Sequence, residues 1–335
     1  MKKILLLFML AITLVACSNT NTNTATKEEN SNQATNSQEV SSEKTIKVGI
    51  IQFAQHIALD RTREGFIEEL ENLGYKVEEE TVNVNSDISL IPSTAKKFQA
   101  DGVDIIYAIA TPCAQGAKNA VQDIPIIFNA VTDPLSAGLV ESNEAPGANV
   151  TGVSDHYPIA DQLDKFLEAF PEKKKLGVLY STGEANSEAQ IKELEAACKE
   201  KNIELVKAGV ATVNDASSAI SSLVTKIDSY VAIQDNLASS AASVISEKLN
   251  ENKIPSFAGE VGPVENGILM ADGIDYVDLG KSAAEMADQI KNGKDPASIP
   301  VVFSKNTQLT VNEKTAKALG IDNIEELFKS ANIIK

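Results

Sequence analysis

Hydrophobic and polar positions follow two different periodicities along most of the chain. The run KVGIIQF, which starts at Lys47, is short and nearly all apolar, and apolar side chains then recur at helical spacing up to Gly74. The runs YKVEEETVNV, SLIPSTAKKFQAD and VDIIYAIA predict a strand, a helix and another strand. Strands that are apolar throughout are typical of a parallel sheet covered on both faces by helices. The pattern therefore predicts an α/β fold.

The same order of elements returns 128 positions later in the chain. The run KLGVLYS at Lys175 aligns with KVGIIQF, and Asn202 aligns with Gly74, where a left-handed residue would end a helix. A repeat of this kind predicts two lobes of one architecture, each with a parallel sheet.

The repeat also suggests domain limits. We place lobe one at residues 46–155, lobe two at 156–280, and a C-terminal segment that crosses back between the lobes at 281–335. The hinge is expected at Ser154–Pro158, with a return crossing near Gly280 or Pro300.

The N-terminus has the features of a secretory signal. Two lysines precede a run of 13 mostly apolar residues, Ile4–Ala16, which is shorter than the roughly 20 apolar residues that a membrane-spanning helix needs. We therefore interpret residues 1–16 as a signal peptide. Leu14–Cys17 resembles the lipobox of bacterial lipoproteins, so Cys17 is expected to carry lipid on the extracytoplasmic face of the cell membrane. The polar residues that follow predict a disordered tether over 17–45.

Composition and charge exclude several classes of partner. A net charge of −17 argues against nucleic acid. Cys113 and Cys198 are far apart and no zinc-like spacing occurs, so neither a metal nor a cofactor is expected. The only arginines are Arg61 and Arg63, which favours a zwitterionic ligand over a phosphorylated one or a dicarboxylate. We expect a monomer.

Polar and aromatic residues follow several predicted strands. Ligands of open α/β sheets bind outside the carboxyl ends of the strands, so two such lobes would form a cleft lined by these residues. The residues at these positions are Phe53, Thr111, Pro112, Tyr180, Ser181, Asp235, Asn236, Glu260, Asp275 and Tyr276.

Two of these positions have more than one interpretation. Asn186 or Ser187 is expected to cap the helix after Gly183, where free amides would suit a ligand carboxylate or serve the helix alone. Asp235 follows an apolar strand, where it either meets a ligand ammonium or caps the next helix.

Cys113 is the candidate for a catalytic thiol. A nucleophile of this kind needs a base, and His56 is the histidine that the cleft arrangement would allow as its partner. Because Cys113 follows Pro112 at a predicted helix start and no hydrolase motif occurs elsewhere, packing is the alternative role.

Several segments together carry a family resemblance. The segments HIALDRTREGF, AIATPCAQ, IPIIFNAVTDPLSAGLV, NVTGVSD, YSTGEANS, the DN pair at 235–236 and GIDYVDLG resemble ABC-transporter substrate-binding lipoproteins assigned to aromatic amino acids. The resemblance implies the type I periplasmic-binding-protein fold, in which two Rossmann-like lobes with parallel sheets are joined by a hinge. It also implies a permease partner in the membrane. The ligand residues that it implies are Thr111, Ser181, Glu184, Asn186, Ser187, Asp235, Asn236, Asp275 and Tyr276.

The expected function is therefore the capture of an amino acid, tryptophan, tyrosine or phenylalanine, for an ABC importer. Alanine is usual in the family at the position of Cys113, which indicates that Cys113 forms part of the cleft wall and is not a nucleophile. The alternatives are a branched-chain amino acid or a nucleoside as ligand, or a surface cysteine hydrolase that uses Cys113 and His56.

Overall fold

The computed structural model describes residues 44–304 and 306–335. The predicted signal peptide, Cys17 and almost all of the tether lie outside these ranges. Lys44 and Thr45, assigned to the tether, are the first residues of a strand. Within the described ranges, no helix combines the length and the apolar character needed to cross a membrane.

The strands alternate with helices, as the periodicities predict. The strands are β1 Lys44–Gln52, β2 Tyr75–Asn83, β3 Ile105–Ile109, β4 Ile126–Asn129, β5 Val150–Ser154, β6 Lys175–Ser181, β7 Glu204–Val210, β8 Ser229–Ala232, β9 Ser256–Glu260, β10 Met270–Ile274, β11 Val302–Phe303, β12 Thr307–Asn312 and β13 Asn332–Ile334. The helices are α1 Ile57–Asn72, α2 Ile91–Ala100, α3 Thr111–Ala120, α4 Ile159–Ala169, α5 Ala185–Glu200, α6 Ala216–Leu223, α7 Asn236–Ser240, α8 Ala242–Glu251, α9 Gly262–Glu265, α10 Tyr276–Lys291, α11 Glu313–Leu319 and α12 Ile324–Leu327.

The strands of the described residues form two sheets with the same central order. The first sheet runs β11-β5-β4-β3-β1-β2 and the second runs β13-β12-β10-β9-β8-β6-β7. All neighbouring strands are parallel except β10 and β12, which are antiparallel. The strands β3, β4, β5 and β9 are buried along their whole length, because helices cover both faces of each sheet. The predicted α/β fold with two Rossmann-like lobes is confirmed.

The helix stops that revealed the repeat are also present. Gly74 and Asn202, which follow α1 and α5, have φ angles of +86° and +55°. Both residues let the chain leave a helix and enter the edge strand of its sheet, which explains why the two positions align in sequence.

The chain passes between the lobes at three points, of which Ser154–Pro158 is one. The other two follow β10, at Asp275, and follow β11, between Phe303 and Thr307. The expected return crossing, near Gly280 or Pro300, lies within a few residues of both points, and the limit at residue 280 falls inside α10.

Close packing between two helices explains why the whole of α10 lies on lobe one. A Cβ atom added to Gly280 would lie 2.3 Å from Thr62 O, and one added to Gly65 would lie 2.3 Å from Val277 O. The backbones of α1 and α10 thus touch through two glycines, which holds α10 on lobe one from its first turn.

Candidate functional site

The carboxyl ends of the strands of the two sheets face each other, and side chains join across the gap. His56 Nε2 lies 3.1 Å from Asn236 Oδ1, and Arg61 forms an ion pair with Glu265 at 2.7 Å. His56 and Arg61 lie at the start of α1 in lobe one, whereas Asn236 and Glu265 belong to lobe two. The lobes are therefore closed on each other.

A small cavity lies between the closed lobes. Its volume is about 10 Å³, which is room for about one water molecule. A second, wider space of about 280 Å³ adjoins it and shares Ala58, Glu260 and Tyr276 as walls. The volume of this wider space is close to the lower end of the range for small-molecule sites. The small cavity is lined by His56, Ala58, Leu59, Ala130, Thr132, Asp155, Asn186, Gln234, Asp235, Asn236, Ser239, Glu260 and Tyr276.

Asp235 has the capping role that was one of its two interpretations. Its Oδ1 accepts a hydrogen bond from Ala238 N at 2.7 Å, and its Oδ2 accepts from Ser181 N and Ser187 Oγ, both at 2.6 Å. The carboxylate thus ties β6 and α5 to the start of α7. Because protein donors occupy both of its oxygens, Asp235 has little capacity left for a ligand ammonium.

Glu184 supports the same helix start from the other side. Its carboxylate accepts hydrogen bonds from the amides of Asn236 and Leu237 and from the side chain of Asn236. Burial, with the neighbouring charge of Asp235, raises the pKa of Glu184 above its ordinary value. Two carboxylates therefore share the first turn of α7.

The expected cap of α5 at Asn186 or Ser187 is wrong. The helix begins at Ala185, with Glu184 at the capping position and no side-chain cap. Ser187 donates to Asp235 instead, and Asn186 Nδ2 donates to Gln234 O at 3.0 Å. Both side chains connect helix α5 to the segment after β8, which is why they are buried.

Asp155 and Glu260 are the other acidic groups in the cavity. Asp155 follows β5, and its Oδ2 accepts a hydrogen bond from Tyr276 OH at 2.6 Å. Glu260 ends β9, and its Oε2 accepts from Gly262 N. Burial raises the pKa of both, that of Glu260 to about 8, and the charge of Asp155 adds to the effect on Glu260.

The other predicted site residues lie near the cavity without lining it. Phe53 is part of the hydrophobic core of lobe one. Thr111 and Pro112 form the buried first turn of α3, which faces α5 across the cleft. Asp275 caps α10 through Val277 N at 2.8 Å and borders the wider space. Of the predicted residues, Asn186, Asp235, Asn236, Glu260 and Tyr276 line the small cavity.

Cys113 and His56 do not form a hydrogen-bonded pair. Burial, together with the charge of Glu184, raises the pKa of the Cys113 thiol well above its usual range. Burial lowers the pKa of His56, whose Nε2 is engaged with Asn236. Both shifts oppose the thiolate–imidazolium pair of a cysteine hydrolase. Within the described ranges, no cluster of three or more His, Cys, Asp or Glu residues is arranged to hold a metal ion.

Sequence reasoning missed Asp155, Thr132 and Gln234 as lining residues. Asp155 was assigned to the hinge alone, although it directly follows β5. Thr132 and Gln234 follow β4 and β8 by two or three positions. The rule that ligands bind at the carboxyl ends of strands, applied to every strand, would have found all three.

Two lobes of one topology that close over a small cavity define a type I periplasmic-binding protein. The chain belongs to the ABC transporter substrate binding protein family, whose sequence model matches residues 47–335. It is 42% identical over 315 residues to a tyrosine-binding protein of Clostridioides difficile strain R20291, with 91% of each chain covered.

Two solved structures bear on the state of the cleft. A domain from Streptococcus pneumonia in complex with L-Trp is 33% identical, with a TM-score of 0.83 over 87% of this chain and 100% of that one. The ligand-free, open structure of a substrate-binding protein with adhesive properties from Clostridium difficile is 40% identical, with a TM-score of 0.67 over 87% and 99%. The less identical, ligand-bound structure is the better match in shape, in agreement with the closed lobes.

Proposed function

We propose that this chain binds an aromatic amino acid between its lobes and presents it to an ABC permease. The observation that carries the proposal is the cleft between the lobes, with its small cavity and the adjoining wider space, in a fold that matches the relative solved in complex with L-Trp. The tyrosine-binding relative supports the same ligand class.

The walls of the cavity suit a ligand that is apolar at one end and polar at the other. Ala58, Leu59 and Ala130 are buried apolar walls from lobe one, and Tyr276 contributes an aromatic ring. Lobe two contributes mainly polar side chains. An aromatic side chain against lobe one would gain apolar burial, and the ring of Tyr276 is available for an aromatic contact.

Tryptophan binding is expected to be visible directly, because the chain contains no tryptophan. Indole emission of added tryptophan should shift to shorter wavelength as the ring leaves water, and the six tyrosines should sensitise it. We expect saturation at micromolar concentrations in a fluorescence titration of the purified body, residues 44–335.

Competition separates the ligand alternatives. Tyrosine and phenylalanine should displace tryptophan, whereas leucine and nucleosides should not. Thermal stabilisation by leucine or a nucleoside, without any tryptophan signal, would contradict the aromatic assignment and favour one of those ligands.

We further propose that lipid on Cys17 anchors the protein outside the cytoplasmic membrane, as a monomer beside its permease. The support is the resemblance of Leu14–Cys17 to a lipobox. Cys17→Ala should move the protein from the membrane fraction to the medium without changing its affinity for the ligand. Cys113→Ala is the matched control, and membrane retention of the Cys17 variant would refute the anchor.

A non-catalytic role is part of the proposal. The buried Cys113 has no hydrogen-bonded base and its raised pKa keeps it as a thiol, so it is suited to packing under the first turn of α3. Turnover of an ester or peptide that Cys113→Ala abolishes would favour the hydrolase instead.

A further inference from the structure

Three buried side-chain oxygens of the cavity have no hydrogen-bond partner within the described residues. They are Asp155 Oδ1, Glu260 Oε1 and Asn186 Oδ1, from side chains that are at most 4% exposed. All three oxygens are hydrogen-bond acceptors, and a buried acceptor without a donor lowers the stability of the folded protein. The cavity is therefore complementary to a group that carries several N–H donors.

His56 adds a fourth acceptor. Asn236 turns its Nδ2 toward the carboxylate of Glu184, so its Oδ1 faces His56 Nε2. Because an amide oxygen can only accept, Nε2 carries the proton of the neutral ring. His56 Nδ1, which is buried and has no partner among the described residues, then presents a lone pair.

The two carboxylates come from opposite lobes. Asp155 follows the first sheet and Glu260 ends a strand of the second. One oxygen of each is held, by Tyr276 OH and by Gly262 N, which leaves the other oxygen free. The nearby Arg61 is engaged with Glu265 at the rim. Within the described ranges, neither carboxylate forms an ion pair with a lysine or arginine.

We propose that Asp155 and Glu260 form the ammonium subsite of the cleft, so that the amine of the ligand joins the two lobes. The inference rests on the proposed function, because it states which part of an amino acid is recognised there. It replaces Asp235, whose oxygens are both occupied by protein donors.

The electrostatics of the pair agree with this role. Burial raises the pKa of both groups, and the charge of Asp155 adds to the raised pKa of Glu260, so two negative charges are disfavoured in the closed cleft. A cation between them removes the repulsion and gives each free oxygen a charge-assisted hydrogen bond. Closure is therefore favoured when a protonated amine is present.

The test is a titration of variants against ligand analogues by calorimetry. The variants are Glu260→Gln and Asp155→Asn, with Glu251→Gln at the exposed end of α8 as the control for loss of one charge. The ligands are tyrosine and 3-(4-hydroxyphenyl)propionate, which is tyrosine without its amine. Each amide variant should weaken tyrosine binding by at least about 30-fold, the lower end expected for an unpaired buried charge, and the control should bind as the wild type does.

The analogue shows whether the loss of affinity depends on the amine of the ligand. The wild type should bind 3-(4-hydroxyphenyl)propionate at least about 30-fold more weakly than tyrosine, and the amide variants should bind this analogue no more weakly than the wild type does. Tyrosine affinities of both amide variants within threefold of the wild type would overturn the subsite. Equal wild-type affinity for the two ligands would also overturn it.

Failure of the proposed function gives a different result. In that case the wild type binds neither tyrosine nor tryptophan. The same comparison of variants is then made with the amino acid that stabilises the protein and with its analogue that lacks the amine, for example leucine and 4-methylpentanoate. Either amide variant is sufficient to test the subsite, so the other can be used if one variant does not fold. The melting temperature of each variant shows independently whether it is folded.

Discussion

Gly280→Ala is expected to lower the melting temperature by roughly 5 to 10 °C, corresponding to about 3 kcal/mol of unfolding free energy. The new methyl group would lie 2.3 Å from Thr62 O and 2.7 Å from Phe66 N, both backbone atoms of α1. Backbone cannot rotate away as a side chain can, so α10 must move off α1. The measurement is thermal unfolding followed by circular dichroism.

Gly183→Ala provides the matched control for this substitution. A Cβ at Gly183 would have Ser181 Oγ as its nearest neighbour, at 4.0 Å. We expect a change within about 1 kcal/mol. Alanine favours helices over glycine by about 1 kcal/mol, so a more stable Gly280→Ala variant would show that α1 and α10 do not touch as described.

Asp235→Ala is expected to lower the unfolding free energy by about 4 kcal/mol. The substitution removes three hydrogen bonds to a buried carboxylate and leaves the amides of Ser181 and Ala238 without their partner. The measurement is denaturation in urea, followed by circular dichroism.

Asp275→Ala is the control for loss of a helix cap. Asp275 is exposed and caps α10 by one hydrogen bond to Val277 N, so its removal should cost about 1 kcal/mol. If Asp235→Ala were as stable as the wild type but bound no amino acid, Asp235 would be the ammonium partner after all, and the assignment to Asp155 and Glu260 would fail.

The hydrophobic pattern determined the fold because each lobe repeats one arrangement of buried strands and amphipathic helices. A buried parallel strand such as β3 is apolar at every position, and this is readable without any knowledge of its neighbours. The helix ends at Gly74 and Asn202 could be predicted for a similar reason, because the left-handed residue that ends a helix is a local feature of the sequence.

The lobe on which α10 packs could not be predicted from the sequence. The sequence of α10 is compatible with a helix on either lobe, and only the contact of Gly65 and Gly280 decides which lobe holds it. Such a contact joins residues more than 200 positions apart, so no local pattern carries it.

The sequence by itself determined the two-lobe α/β body, its strand ends and the positions at which a ligand would meet it. Only the tertiary structure decided the role of each polar group, because that role depends on which donors surround it. Asp235 and Glu260 both end or follow a buried strand and look alike in sequence. In the fold, protein donors occupy both oxygens of Asp235, whereas one oxygen of Glu260 is left without a partner and lines the same cavity as Asp155.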